Sequence, residues 1–456
     1  MPDAMTNVGC FLGRLVERES QTVLVHRGVP FSGARLRGEV DAWVERLRGH
    51  AVGPGTVCAY VGDYGDGTVS LTFAIMQLGA TAMPLAESAL ANMHDLLAIA
   101  GARLLVRFGP DMSAASATVE VRGASPQNAL IERFQATGHA GLIVFTSGST
   151  GGPKGILHDC EKVLEKFATV RPGWRTILFL AMDHFGGFNT LLSCFAYDGV
   201  GITVPQRLPE PVCHAIEEAA AELLPTTPTF LNMLLASGSL RKSQLSSLRL
   251  ITYGAEPMPQ PTLQRISAAF PNVELKQTYG LSELGVLHSR SKDRQSLWLR
   301  VGGEGFETRI VDGQLHIRSV SNMVGYLNAP SPIDDEGWMN TGDLVEEKDG
   351  MYRFLGRKSE IINVGGQKVF PSEVESVLLD APDVVEATVH GRPHPLLGQA
   401  VAARVSIAGK EDSNVVVQRL REFCRQNLAR FKVPMSFEIV EADAQANTRA
   451  KKQRPR

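Results

Sequence analysis

Short apolar runs alternate with stretches of helical periodicity in the first hundred residues, and this alternation narrows the folds open to the chain. Residues 22–26 and 57–61 have strand character. Residues 36–47 and 69–78 place apolar side chains at helical spacing, and 102–108 return to strand character. Strands that alternate with helices imply a parallel sheet covered by helices on its faces. Residues 27–30, with Gly28 and Pro30, read as a turn. Residues 112–127 are small and polar and read as a loop.

The apolar run 141–145 predicts a buried strand that enters Thr146-Ser147-Gly148-Ser149-Thr150-Gly151-Gly152-Pro153-Lys154-Gly155. Such a loop offers backbone N–H groups, hydroxyl donors and one cation, the parts that hold a phosphate chain. It is not a Walker A loop, because Pro153 precedes the lysine and Gly155 follows it. Further strands are expected at 176–182, 202–204, 248–252 and 275–277, and helices at 160–169 and 227–235. Several of these strands end in polar or glycine-rich turns: Asp183-His184-Phe185-Gly186-Gly187-Phe188, Gly254-Ala255-Glu256-Pro257 and Thr278-Tyr279-Gly280-Leu281-Ser282-Glu283. Open α/β sheets gather ligands at the carboxyl ends of their strands, so these turns point to one shared site.

After about residue 299 the texture becomes β-rich. Asp312-Gly313 and Asp349-Gly350 each stand between strand-like runs, a strong hairpin signal. Beyond Ser359 comes a compact α+β pattern of about a hundred residues, a usual domain size. The fold class is therefore α/β: a large N-terminal domain of mixed α/β layers with a β-rich subdomain (1–358) and a small C-terminal α+β domain (359–456).

Bulk properties exclude several classes. The formal charge of −2 gives no global field for nucleic acid. Six scattered cysteines without Cys-x-x-Cys spacing suggest neither a zinc site nor a disulfide framework, and fit reduced, cytoplasmic thiols. Residues 1–9 lack a signal-peptide pattern. The apolar run 223–235 is interrupted by Pro225 and Pro228 and is too short to span a bilayer.

Taken in order, the motifs resemble those of the AMP-forming adenylating enzymes, which include acyl-CoA synthetases, peptide-synthetase adenylation domains and luciferases. Residues 146–155 resemble the family's phosphate loop. Gly254-Ala255-Glu256-Pro257 resembles the adenine-binding turn. Tyr279-Gly280-Leu281-Ser282-Glu283, Asn340-Thr341-Gly342-Asp343 and Gly356-Arg357-Lys358-Ser359-Glu360 resemble three further signatures.

The resemblance implies ATP-dependent activation of a small carboxylic acid to an acyl-adenylate. Thr146, Ser147, Gly148, Ser149, Thr150 and Lys154 would hold the phosphates. Gly254, Ala255, Glu256, Pro257, Tyr279 and Gly280 would frame the base, with Tyr279 stacked on adenine. Asp343 and Arg357 would reach the ribose. Ser282 would meet the α-phosphate, and Glu283 would hold Mg2+. His184 resembles the aromatic gate beside the acid, and its neighbour Asp183 would orient it or act as a base. The family's mobile lysine has its best match at Lys451 in Ala450-Lys451-Lys452-Gln453-Arg454, with Lys452 as competitor. A hinge at Ser359 would exchange the Lys451 face of the small domain for the Gly365-Gly366 face.

Phe185, Phe188, Asn189, Thr252, Thr278, Gly285, Val286 and Leu287 are the expected pocket walls, largely apolar and without a cation, which suits an aromatic or apolar acid. Coenzyme A is the leading acceptor, with an amine or a separate carrier protein as alternatives. A non-catalytic nucleotide sensor is the competing class.

Overall fold

The computed structural model describes residues 6–123, 128–147, 152–169, 171–303, 305–409 and 411–441. Two seven-stranded sheets form the large part. The first runs Glu274–Gln277, Leu250–Tyr253, Leu223–Thr226, Arg175–Ile177, Val200–Ile202, Thr22–His26, Val29–Ser32. It is parallel except for its last strand. The second runs Gly325–Tyr326, Pro153–Asp159, Gly141–Ser147, Thr81–Leu85, Val57–Val61, Leu104–Arg107, Thr118–Val121, and is parallel only in its middle.

Parallel strands covered on both faces read as continuous apolar runs. Val57–Val61 is such a strand: Cys58 and Tyr60 enter the core between the sheets, and Val57, Ala59 and Val61 enter the outer core. Between the sheets lies the helix Asp66–Gln77, buried from Asp66 to Met76. Its apolar residues pack against the core, and its buried Ser70 hydroxyl bonds back to the Asp66 carbonyl. Its Thr72 hydroxyl donates to the Thr68 carbonyl at 2.7 Å and lies 2.7 Å from the Tyr60 hydroxyl, so these buried polar groups are satisfied.

A six-stranded antiparallel sheet follows and ends with the strand Met351–Arg357. Asp312-Gly313 and Asp349-Gly350 both take positive φ, as two-residue hairpin turns require. A single 3-10 turn, Lys358–Glu360, then leads to a five-stranded sheet with its own core and the helices Pro371–Asp380 and Ser413–Asn427. This small unit rests on the large one, where Arg265 Nη2 donates to the Leu379 carbonyl at 3.0 Å.

Three local expectations change. The turn after the first strand is only Arg27-Gly28, both at positive φ. Val29 and Pro30 instead pair with His26 and Val25 in an edge strand, where a proline without an N–H is tolerated. The loop 112–127 contains the edge strand Thr118–Val121. The strand expected over 176–182 stops at Ile177, while Leu178 and Phe179 divide between two cores from irregular backbone. Among the described residues no helix is long and apolar enough to cross a membrane. All six cysteines are free thiols.

Candidate active site

The strand Gly141–Ser147 turns back on itself. It pairs antiparallel with Pro153–Asp159, opposing Thr146 to Lys154 and Ser147 to Pro153. Thr146, Ser147 and Pro153-Lys154-Gly155 of the glycine- and hydroxyl-rich segment therefore lie on two paired strand ends. Gly148, Ser149 and Thr150 lie outside the described residues. The second strand end is tied to the chain after Tyr326: Asn328 accepts from Gly155 N at 3.0 Å and donates to the Pro153 carbonyl at 2.9 Å. Lys154 Nζ stands 5.3 Å from the centre of the Tyr326 ring.

The same tyrosine donates its hydroxyl to Glu283 Oε1 at 2.7 Å. Burial, followed by the charge of Glu283, raises the phenol's pKa and keeps that proton on the tyrosine. The Glu283 backbone is fixed too, because its carbonyl accepts from Met323 N at 2.9 Å. The predicted phosphate lysine and the predicted metal carboxylate thus meet at one aromatic ring. Tyr326 was not foreseen. It sits on a two-residue edge strand far along the chain, and no local pattern marks it.

Asp343 forms a second centre. It is nearly buried and faces Arg357 across a β ladder. Tyr279 donates its hydroxyl to Asp343 Oδ2 at 2.6 Å, and Arg357 Nε lies 3.4 Å from Oδ1. Burial raises the Asp343 carboxyl above its ordinary value, while Arg357 and the Tyr279 hydroxyl oppose that shift. The Tyr279 ring stacks on Phe354, with centroids 4.4 Å apart at 24°. One face of the ring expected to carry adenine is therefore already covered by protein.

Gly254 packs tightly on Thr278, where a Cβ would fall 2.3 Å from the Thr278 hydroxyl. Ala255 adopts φ 67°, a left-handed turn conformation for a residue with a side chain. Glu256 turns away from the expected base pocket. Its Oε2 accepts from Thr229 N at 3.2 Å and Thr229 Oγ1 at 2.7 Å, capping the helix Pro228–Ala236. Pro257 lines a cleft with Leu379, Glu386 and Ala387 of the small unit. The backbone Gly254-Ala255 is what remains of the turn for a planar ligand.

His184 is the residue before the helix Phe185–Ala196, and its carbonyl accepts from Gly187 N and Phe188 N. Asp183 adds its charge to the environment of Arg207 and Tyr64, beside the Asp63–Arg207 pair (2.9 Å). Gly187 permits the helix to approach the irregular segment before it, since a Cβ there would lie 2.0 Å from the Ala181 carbonyl oxygen.

Phe185 is buried and touches an unforeseen partner, His158, with ring centroids 4.5 Å apart. His158 Nε2 donates to the Ser282 carbonyl at 2.7 Å. Burial lowers the His158 pKa to about 4, so the imidazole is neutral at physiological pH. It holds Ser282 by its backbone. A histidine in the apolar strand run Ile156-Leu157-His158 was the available signal.

The pocket expectation needs two corrections. Val286 packs with the core around Phe185, but its neighbour Leu287 points into the core of the β-rich sheet, because successive strand residues face opposite ways. A cation does stand at these walls. Lys166 Nζ hydrogen-bonds Asn189 Oδ1 and lies 3.4 Å from the Val286 carbonyl and 5.7 Å from the Phe185 ring centre. Lys166 lies between Glu165 and Phe167, just past the end of the helix Cys160–Glu165, and no local pattern marks it as pointing inward. Phe188 is fully buried in the core, while Thr252 and Thr278 are half-buried. Gly285 packs on Phe185, 3.1 Å from where a Cβ would stand. Gly280 in turn packs on the backbone of Gly285 and Val286. Lys451 lies outside the described residues.

Among the described residues no cluster of three or more histidine, cysteine, aspartate or glutamate side chains could cage a metal. Glu283 suits a different role. Tyr326 occupies Oε1, and no described residue hydrogen-bonds Oε2. Mg2+ is held in this manner, by one or two carboxylates together with phosphate oxygens.

Residues 14–327 match the family model described as AMP-binding enzyme, and residues 373–452 match the AMP-binding enzyme C-terminal domain. A 2-succinylbenzoate–CoA ligase of Bacillus cytotoxicus is 27% identical over 354 residues, covering 72% of each chain. A long-chain-fatty-acid–CoA ligase of Mycobacterium tuberculosis is 29% identical, covering 66% of this chain and 64% of the relative. Among solved structures, an anthranilate CoA ligase in complex with anthranoyl-AMP superposes with a TM-score of 0.81 at 21% identity, covering 96% of this chain and 94% of the other. An amide bond synthetase from Marinactinospora thermotolerans superposes with a TM-score of 0.72 at 23% identity, covering 95% and 96%. At these identities the structural likeness speaks for the fold.

Proposed function

Because the chain belongs to the AMP-binding enzymes, within the AMP-forming adenylating superfamily, we propose that it activates a carboxylic acid with ATP to an acyl-adenylate and passes the acyl group to coenzyme A. The observation that carries this reading is the meeting of Lys154 and Glu283 on Tyr326. Attack of a carboxylate on the α-phosphate sets an anion against a polyanion, so catalysis is chiefly charge neutralisation and positioning.

In this reading the segment 146–155 and its Lys154 hold the β- and γ-phosphates and receive the departing pyrophosphate. Glu283 would hold Mg2+, which neutralises phosphate charge when bound. Ser282, fixed through its carbonyl by His158, offers its hydroxyl to the α-phosphate. Asp343 retains unused lone pairs beyond the bonds from Tyr279 and Arg357, and accepts the ribose hydroxyls with them. Gly254 and Ala255 supply the edge of the adenine site. Lys451, from the small domain 359–456, stabilises the charge that develops between carboxylate and α-phosphate. Rotation about Ser359 then withdraws it and brings Gly365-Gly366 to the acceptor channel.

The acid lies along Phe185 and Val286, a wall suited to an apolar or aromatic body. The CoA ligases among the relatives favour a thiol acceptor. Asp183 beside His184 favours the second reading, an amine acceptor whose proton the carboxylate takes. Incubation with ATP, an activating acid and either CoA or a panel of amines, with products identified by mass, separates them. Thioester formation with CoA is expected. Amide without thioester would move the assignment to an amide synthetase.

A further inference from the structure

Lys166 is not alone beside the expected pocket walls. Arg171 Nη2 lies 3.1 Å from His288 Nδ1. A guanidinium only donates, so Nδ1 accepts and the His288 proton sits on Nε2, free to donate. Burial, then the charges of Arg171, Lys166 and Lys276, lower the His288 pKa, so these four groups share one electrostatic neighbourhood. Lys276 lies opposite Thr252 in the first sheet and is half-buried. Burial, then Arg171, lowers its pKa, and Glu274 is the one acid that opposes the shift. Burial and then Arg171 lower the Lys166 amine to about 7.

Among the described residues neither Lys166, Arg171 nor Lys276 forms a salt bridge, although eighteen salt bridges are made elsewhere in the chain. Lys166 and Lys276 are partly desolvated beside the exposed Arg171, Glu274 alone offsets Lys276, and neighbouring cations repel one another at a cost in stability. An arriving anion would relieve that cost, which is an effective basis for selecting one substrate over another.

We propose that the activated acid carries a second carboxylate, and that Lys166, supported by Arg171, Lys276 and His288, forms the cationic end of the pocket that reads it. This rests on the adenylation reading above and specifies its substrate class. The reacting carboxylate would lie toward Ser282, the apolar body on Phe185, and the second carboxylate at Lys166 Nζ. Placement favours the acid over a phosphate of the acceptor as the anion, because Lys166 bonds Asn189 and the Val286 carbonyl on the pocket wall.

ATP–pyrophosphate exchange without any acceptor tests this on the full chain, using octanoate against suberate and benzoate against terephthalate. The diacid of at least one pair should drive exchange better than its monoacid. Lys166→Met should lower kcat/KM for that diacid by at least about 30-fold, mostly through KM. Its KM for ATP should hold, the loss with the monoacid should be at least about tenfold smaller than with the diacid, and Lys166→Arg should restore part of the diacid loss. Wild-type exchange with monoacids in preference to both diacids overturns this inference and leaves the adenylation reading intact. An equal loss for monoacid and diacid in Lys166→Met also overturns it, by making the lysine structural. A Lys166 effect seen only after CoA is added would assign the cluster to acceptor phosphate and refute the diacid. Exchange with no acid overturns both readings.

Discussion

Replacing Tyr326 with phenylalanine removes one oxygen atom and separates two roles of this side chain. The ring that faces Lys154 stays, and the strand pairing of Gly325–Tyr326 with Ile156 and Leu157 is made by backbone, so the fold is retained. What is lost is the 2.7 Å bond to Glu283 Oε1. A hydrogen bond to a charged group contributes about 1.5–3 kcal/mol. Tyr326 is only half-buried, so the lower end applies, about 1.5 kcal/mol or roughly tenfold in an equilibrium constant. Partners that orient metal-ligating carboxylates typically contribute about 10- to 100-fold to metal affinity or activity, a consistent range. Initial rates of acid-dependent pyrophosphate release, measured over a matrix of ATP and Mg2+ concentrations, give the answer. Tyr326→Phe should raise the Mg2+ needed for half-maximal rate about tenfold and leave the KM for the acid unchanged. Unchanged Mg2+ dependence would refute the placement of Mg2+ on Glu283.

Asp343→Asn should raise the KM for ATP by about 10- to 100-fold, as expected for loss of charged hydrogen bonds, checked by nucleotide titration. In the wild type Asp343 must be ionised to accept the ribose hydroxyls. Burial raises its pKa above the usual aspartate value of 3.8, so the KM for ATP should climb on acidification at a higher pH than an ordinary aspartate would give. A pH profile of that KM tests the sign. Lys451→Ala should abolish adenylate formation while leaving thioester formation from supplied acyl-adenylate. Full adenylation in that variant would pass the role to Lys452. Gly187→Ala should destabilise the fold by about 1–3 kcal/mol, because its new Cβ would meet the Ala181 carbonyl oxygen at 2.0 Å; urea unfolding reads the loss.

The layered architecture was legible because parallel strands and interior helices need long apolar runs, and residues 57–61 and 69–78 carry them plainly. Edges were harder. Thr118–Val121 is half solvated and Pro30 sits in an edge strand, so burial imposes no pattern on either. Several candidate site residues stand in local motifs: Glu283, Asp343 and Lys154 each sit within a short signature. Tyr326, His158 and Lys166 do not, because their roles arise from strand pairing and packing between distant segments. Glu256 and Leu287 show the converse. Both belong to local patterns, yet a helix cap takes the Glu256 carboxylate and strand alternation turns Leu287 away.

Acid-dependent ATP–pyrophosphate exchange across a panel of mono- and dicarboxylic acids tests the central claim most directly. Label should enter ATP only when a carboxylic acid is present, and Glu283→Gln should suppress it. Clear binding of ATP with no exchange for any acid would contradict the account and leave a nucleotide sensor in its place.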